Sequence, residues 1–155
     1  MNSSDISQVL SRCELFVNLS DEEIKPIIAL SQIEYYQPWH TIYHQGQKGT
    51  KIYIIKEGQV TLEHSLDLGG RKANLTAAIL GPGRVLGAWV VLLDKSYYFM
   101  TSAICNRKTE IISIEGHLLR EVLEKNLSTG FRVMANLACL LRDRMGGIYG
   151  AMEKL

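Results

Sequence analysis

Short β-branched and aromatic runs separated by glycine turns constrain this chain more than any other feature. Thr41-Ile42-Tyr43, Ile52-Tyr53-Ile54-Ile55, Val60-Thr61-Leu62 and Ile111-Ile112-Ser113-Ile114 are too short for helices and rich in residues that suit a pleated surface. Gln45-Gly46, Glu57-Gly58, Leu68-Gly69-Gly70 and Gly81-Pro82-Gly83 bound them. Glycine turns the chain at positive φ without steric cost. Many short strands at regular spacing, punctuated this way, predict an antiparallel sandwich or barrel-like roll over residues 33–115.

Helical periodicity frames that region. Val9, Leu10, Cys13 and Phe16 repeat at three to four residues within residues 6–16. Ser20-Asp21-Glu22-Glu23 has the form of a capping box, and Ile24, Ile27 and Ile28 follow at helical spacing. Pro26 is expected to shorten that helix. Leu118, Leu119, Val122 and Leu123 predict a short amphipathic helix, and a longer one begins at about Leu127. The expected fold class is α+β. An eight-stranded antiparallel β-roll of the double-stranded β-helix or jelly-roll type would carry N-terminal helices in residues 1–32. A long C-terminal dimerisation helix would lie within residues 116–155. All 155 residues are expected to form a single domain.

Composition excludes several functions. With 46% hydrophobic and 21% charged residues the chain reads as globular. A net charge of +1 argues against a nucleic-acid surface, and no polybasic run suits an anionic membrane. No stretch approaches the length of a transmembrane helix. Cys13, Cys105 and Cys139 are odd in number and widely spaced, which reads as free thiols in a reducing, cytoplasmic setting. The polar residues 1–8 lack an apolar signal core.

Two segments carry a family resemblance. The first runs from His44-Gln45-Gly46 through Gly49 and Ile52-Tyr53-Ile54-Ile55 to Gly58-Gln59-Val60. The second is Leu80-Gly81-Pro82-Gly83-Arg84-Val85-Leu86-Gly87, followed by apolar residues 88–93. Together they resemble the cyclic-nucleotide-binding domain family, which includes the sensor domains of catabolite-activator-type regulators. The resemblance implies a phosphate-binding cassette after Gly87. In that cassette a Gly-Glu step enters a short helix whose N–H groups face the cyclic phosphate. The Glu holds the ribose hydroxyl, and an Arg about ten residues later pairs with the phosphate.

The chain departs from this pattern. Gly87 matches, but Ala88 stands at the Glu position. The Arg position falls on Tyr98 or Phe99, and no arginine occurs between Arg84 and Arg107. Lys95 is the one cation of that interval and Asp94 the one acid. Thr101 and Ser102 match the family's small hydroxyl residues. A charge-assisted bond to a buried anion is worth about 1.5–3 kcal/mol, so losing both partners weakens a cyclic nucleotide by a few powers of ten. Ordinary cyclic AMP binding is therefore not expected.

The candidate ligand-binding residues are Gly87, Ala88, Trp89, Phe99, Thr101, Ser102 and Arg144. Arg144 extends the stripe Val133, Leu137, Leu140 by one turn. It either points into the pocket mouth as a substitute cation or lies on a solvated face. Trp89, Tyr97, Tyr98 and Phe99 either receive a planar ligand or fill the pocket themselves. The candidate ligand is a cyclic nucleotide or another small anionic or planar molecule.

A second stripe on the last helix carries Leu127, Phe131, Met134, Ala138, Leu141, Met145, Ile148, Met152 and Leu155 at spacings of four and three. That a/d pattern predicts a parallel homodimer seam, centred on Met134, Ala138, Leu141, Met145, Ile148 and Met152. The alternative is intramolecular core. Gly146, Gly147 and Gly150 either allow close contact or fray the end. In the transcription-factor branch such a helix leads into a helix-turn-helix domain. Residues 1–155 contain no such segment, so no direct DNA contact by them is expected. The reading is a ligand-sensing regulatory domain; the alternatives are a ligand-free dimerisation or interaction module and the truncated sensor half of a transcription regulator.

Enzyme chemistry has no support. His40 and His44 are four apart but flank a strand, where that spacing separates them, and no H-E-x-x-H motif is present. A haem ligand among His40, His44, His64 and His117 is a minor reading. No G-x-S-x-G elbow or Walker loop occurs.

Overall fold

The computed structural model describes residues 3–93 and 97–154. Asp94, Lys95 and Leu155 lie outside the described residues. Helices α1 (Ser3–Arg12) and α2 (Asp21–Leu30) open the chain. The capping box is formed: Ser20 Oγ accepts from the Glu23 N–H at 3.2 Å, and Glu23 Oε1 accepts from the Ser20 N–H at 3.0 Å. Pro26 lies inside α2 without ending it, since the helix continues to Leu30. Helix α1 stops at Arg12, short of Phe16, yet Leu10, Cys13, Leu15 and Phe16 are all fully buried.

Eight strands follow among the described residues. They are β1 (Gln32–Tyr36), β2 (Thr41–Tyr43), β3 (Lys51–Glu57), β4 (Val60–Asp67), β5 (Lys72–Leu80), β6 (Val85–Leu86), β7 (Ser102–Cys105) and β8 (Thr109–Glu115). They form two four-stranded antiparallel sheets, ordered β1-β8-β3-β6 and β2-β7-β4-β5. A four-residue helix, α3 (Ala88–Val91), interrupts the second half of the roll. Helices α4 (Gly116–Lys125) and α5 (Leu127–Met152) close the chain.

The core explains the apolar runs. Neighbouring strand residues point to opposite faces. Ile52, Tyr53, Ile54 and Ile55 are nevertheless all buried, so β3 is covered on both sides. Ile111, Ile112 and Ile114 of β8 pair with this strand and are buried as well. The longest strand, β5, was not legible as a strand. Its alanines carry little β signal, and only Leu75, Ala77 and Leu80 of its nine residues are buried.

Helix α5 has two apolar faces. Val133, Leu137 and Leu140 are buried against the roll. Leu127, Phe131, Ala138, Leu141, Met145, Ile148 and Met152 are exposed, and Met134 is half-buried at the boundary. The helix packs close to β5: a Cβ on Gly147 would stand 3.2 Å from the Ala77 carbonyl oxygen, whereas Gly146 and Gly150 have open space. Among the described residues no helix is long and apolar enough to cross a membrane.

Candidate functional site

Strand β6 delivers the chain to Gly87, which holds φ +77° and starts α3. Only glycine adopts this backbone cheaply. A Cβ there would also stand 2.8 Å from Phe99 Cε1 and 3.4 Å from the Lys51 carbonyl oxygen. Ala88 is fully buried, and Val90 and Val91 of α3 press on Gly49, whose absent Cβ makes room for both. Gly49 is thus required for close packing; it is Gly46 and Gly58 that turn the chain at positive φ.

Beyond α3, residues 97–99 return along the loop between β2 and β3. Gly49 N–H donates to the Tyr97 carbonyl at 2.9 Å, Phe99 N–H to the Gln47 carbonyl at 2.9 Å, and Gly46 N–H to the Phe99 carbonyl at 2.8 Å. This register turns Phe99 inward, where it is 3% exposed. Its ring stacks on Tyr43 with centroids 3.7 Å apart, and Tyr53 lies 5.8 Å beyond Tyr43. Tyr97 and Tyr98 are exposed and meet each other edge to face at 5.9 Å. The four-ring cluster expected from sequence is therefore split. Only Phe99 enters the roll fully, with Trp89 half-buried against the core.

The hydroxyl residues divide in the same way. Thr101 reaches the Tyr43 hydroxyl. Burial pushes that phenol far above its ordinary range, and the Thr101 hydrogen bond and the Arg144 charge oppose the shift. Tyr43 is thus a neutral phenol at any physiological pH. Ser102 Oγ accepts from the Gln45 N–H at 2.9 Å and braces the loop. Gln45 in turn spans to the backbone of Ser65, accepting from its N–H at 2.7 Å.

Arg144 is not on a solvated face. It is 4% exposed, carried by the buried stripe of α5. Its Nη2 donates to Glu14 Oε1 at 2.6 Å and to the Val85 carbonyl at 3.0 Å. Glu14 also accepts from the Val85 N–H at 2.8 Å and from Arg84 Nε at 3.0 Å. One carboxylate thus ties the turn after α1 to strand β6 and helix α5. The Nε and Nη1 atoms of Arg144 are buried with no hydrogen-bond partner among the described residues.

The structure therefore sets Phe99 against both Gly87 and Tyr43, with Thr101 and the Arg144 charge acting on the Tyr43 hydroxyl. It seals Ala88 into the core and gives Ser102 a structural bond. Sequence reasoning missed Tyr43 and Glu14. Tyr43 sits in a short strand run that carries no further signal, and Glu14 has no local signal because its partner lies 130 residues away. His40 and His44 flank β2 as expected, and among the described residues no three metal-ligating side chains cluster.

Residues 33–126 match the family described as cyclic nucleotide-binding domain, well over half of the chain. The chain belongs to the cyclic nucleotide-binding domain family. This cyclic nucleotide-binding domain is 32% identical over 131 residues to the cyclic AMP receptor protein of Thermus thermophilus, covering 84% of the chain and 56% of that protein. It is 32% identical over 92 residues to a cGMP-dependent protein kinase of Caenorhabditis briggsae, covering 59% of the chain and 12% of the kinase. The chain thus spans about half of the first relative's length and a small part of the second's. In fold, it superposes on a cyclic nucleotide-binding domain from Methylobacillus flagellatus with a TM-score of 0.80 at 19% identity, covering 99% of this chain and 84% of that one.

Proposed function

We propose that this domain is a ligand-sensing regulatory module, not an enzyme, in which the ordinary cyclic-phosphate grip is replaced by an internal aromatic plug. The observation that carries this reading is Phe99. Its ring stands against Gly87, at the entrance to the short helix where the family places the phosphate, and stacks on Tyr43. Ala88 supplies no carboxylate for a ribose and is sealed in the core. Neither residue fits a cyclic nucleotide held in the family's manner.

The output element in this reading is α5, pairing with a second copy of the chain in the cytoplasm. Its exposed stripe from Leu127 to Met152 follows a/d spacing over about four heptads, which suits a coiled-coil seam. A ligand acts by binding one arrangement of roll and helix better than another.

A second reading is a ligand-free dimerisation module, favoured by the same Phe99 plug. Thermal-shift titration of the chain with cyclic AMP, cyclic GMP and haem tests both. A ligand at about 100 times its Kd stabilises by about 2.7 kcal/mol. The expected result is no shift at micromolar nucleotide; a saturable shift with haem favours the sensor, and no shift with any of the three favours the ligand-free module. A saturable micromolar shift with either cyclic nucleotide overturns the plug.

A further inference from the structure

Arg144 is overdetermined on one side and unmatched on the other. A guanidinium carries five N–H donors, two on each Nη and one on Nε. The two on Nη2 are used, by Glu14 Oε1 and by the Val85 carbonyl. Nε and Nη1 are buried without a partner among the described residues. Buried donors left unmatched are costly, and native proteins rarely tolerate them.

Charge points the same way. Glu14 is shared between two guanidinium groups, Arg84 at 3.0 Å and Arg144 at 2.6 Å. The three groups sum to one unbalanced positive charge. Arg84 is partly exposed and solvated, whereas the Arg144 side chain is 5% exposed. The surplus charge is therefore concentrated on the buried member. The Arg144 charge also acts on the Tyr43 hydroxyl, itself a neutral donor inside the roll.

We propose that the free edges of Arg144, Nε and Nη1, form a binding site for a small oxyanion, a carboxylate or phosphoryl group, between α5 and the roll. The site rests on the sensor reading and names its ligand chemistry. It differs from a phosphate grip at Gly87, since it uses a side chain of the terminal helix. Arg144 adjoins Met145 of the exposed stripe, so an occupant acts directly on the element that would carry the output. Glu14 neutralises part of the site and disfavours an incoming anion.

The test is titration of the whole chain with sodium acetate, sodium phosphate or cyclic AMP, each against sodium chloride of equal ionic strength. The readout is the Arg144 Nε–H cross-peak in ¹⁵N–¹H spectra, identified by its loss in Arg144→Lys. Acetate or phosphate is expected to move that resonance saturably beyond chloride. A response to acetate alone assigns a carboxylate, and one to phosphate alone a phosphoryl group. Glu14→Gln is expected to lower the half-saturating concentration by about tenfold, as removal of one nearby like charge does. No saturable shift beyond chloride in wild type, or an unchanged half-saturation in Glu14→Gln, overturns the site. Cyclic AMP that binds tightly with the Arg144 resonance unmoved also overturns it, and removes the Phe99 plug while leaving a ligand-sensing domain. A saturable Arg144 shift with the Met145 methyl resonance unmoved keeps the site and removes the sensing.

Discussion

Phe99 lies nearly parallel to Tyr43, their ring centroids 3.7 Å apart and their planes inclined by 15°. The pair joins residues 97–99, which return from α3, to strand β2, and places an apolar ring beside Gly87.

If Phe99 is the plug, its removal leaves a cavity bounded by Tyr43, Gly49 and Gly87. Phe99→Ala is expected to destabilise by about 3–5 kcal/mol, the range for a buried phenylalanine, and Phe99→Leu by clearly less. Urea denaturation measures both. An unchanged midpoint in Phe99→Ala would mean the ring is not packed as described.

Gly87→Ala meets two penalties. The left-handed backbone costs about 1–2 kcal/mol for a residue with a Cβ, and the new methyl stands 2.8 Å from Phe99 Cε1. Shortening the ring removes only the second. In a double-mutant cycle, Gly87→Ala should therefore cost less in the Phe99→Leu background than in wild type. Strict additivity would remove the steric contribution.

Glu23 links the two ends of the chain, from the cap of α2 to Thr129 and Arg132 of α5. The Thr129 hydroxyl donates to it, as does Arg132 Nη1 at 3.0 Å. The Thr129 hydrogen bond, then the Ser20 N–H, with help from Arg132, lowers its pKa from 4.5 to about 2. A carboxylate with a depressed folded pKa contributes stability that is present above its unfolded value and lost as pH falls through the folded one. The stability difference between wild type and Glu23→Gln should be fully expressed above about pH 4.5 and shrink toward pH 2. Denaturation curves over that window check it, and a difference that stays constant contradicts the assignment.

The exposed stripe of α5 predicts its own assay. Phe131→Glu and Ile148→Glu change surface positions, so each should alter the stability of the isolated fold by no more than about 0.5 kcal/mol. Each should nevertheless convert a dimer into a monomer in sedimentation velocity, because a charge in an a/d seam has no partner. Wild-type chain that stays monomeric at all concentrations rejects the seam.

Legibility in the sequence followed the range of the interactions involved. The capping box at Ser20 and Glu23, the glycine turns at Gly46 and Gly58, and the two stripes of α5 all rest on residues within a turn or two of each other. Local geometry alone decides them, and the structure reproduces them. Strand β5 was hidden because its alanines take their inward positions from pairing with β4, not from their own preference.

The sequence by itself determined the roll, its family, and the absence of an arginine between positions 84 and 107. These follow from residue identity and short-range spacing. Only the tertiary structure decided where Phe99 and Arg144 point. Phe99 turns inward because residues 97–99 pair with residues 46–49 in one register, and a slip of one residue would present Tyr98 instead. Arg144 is drawn under β6 by Glu14, a carboxylate 130 residues away. Burial of a charge depends on what the folded chain brings to it, and that cannot be read from the helix on which the charge sits.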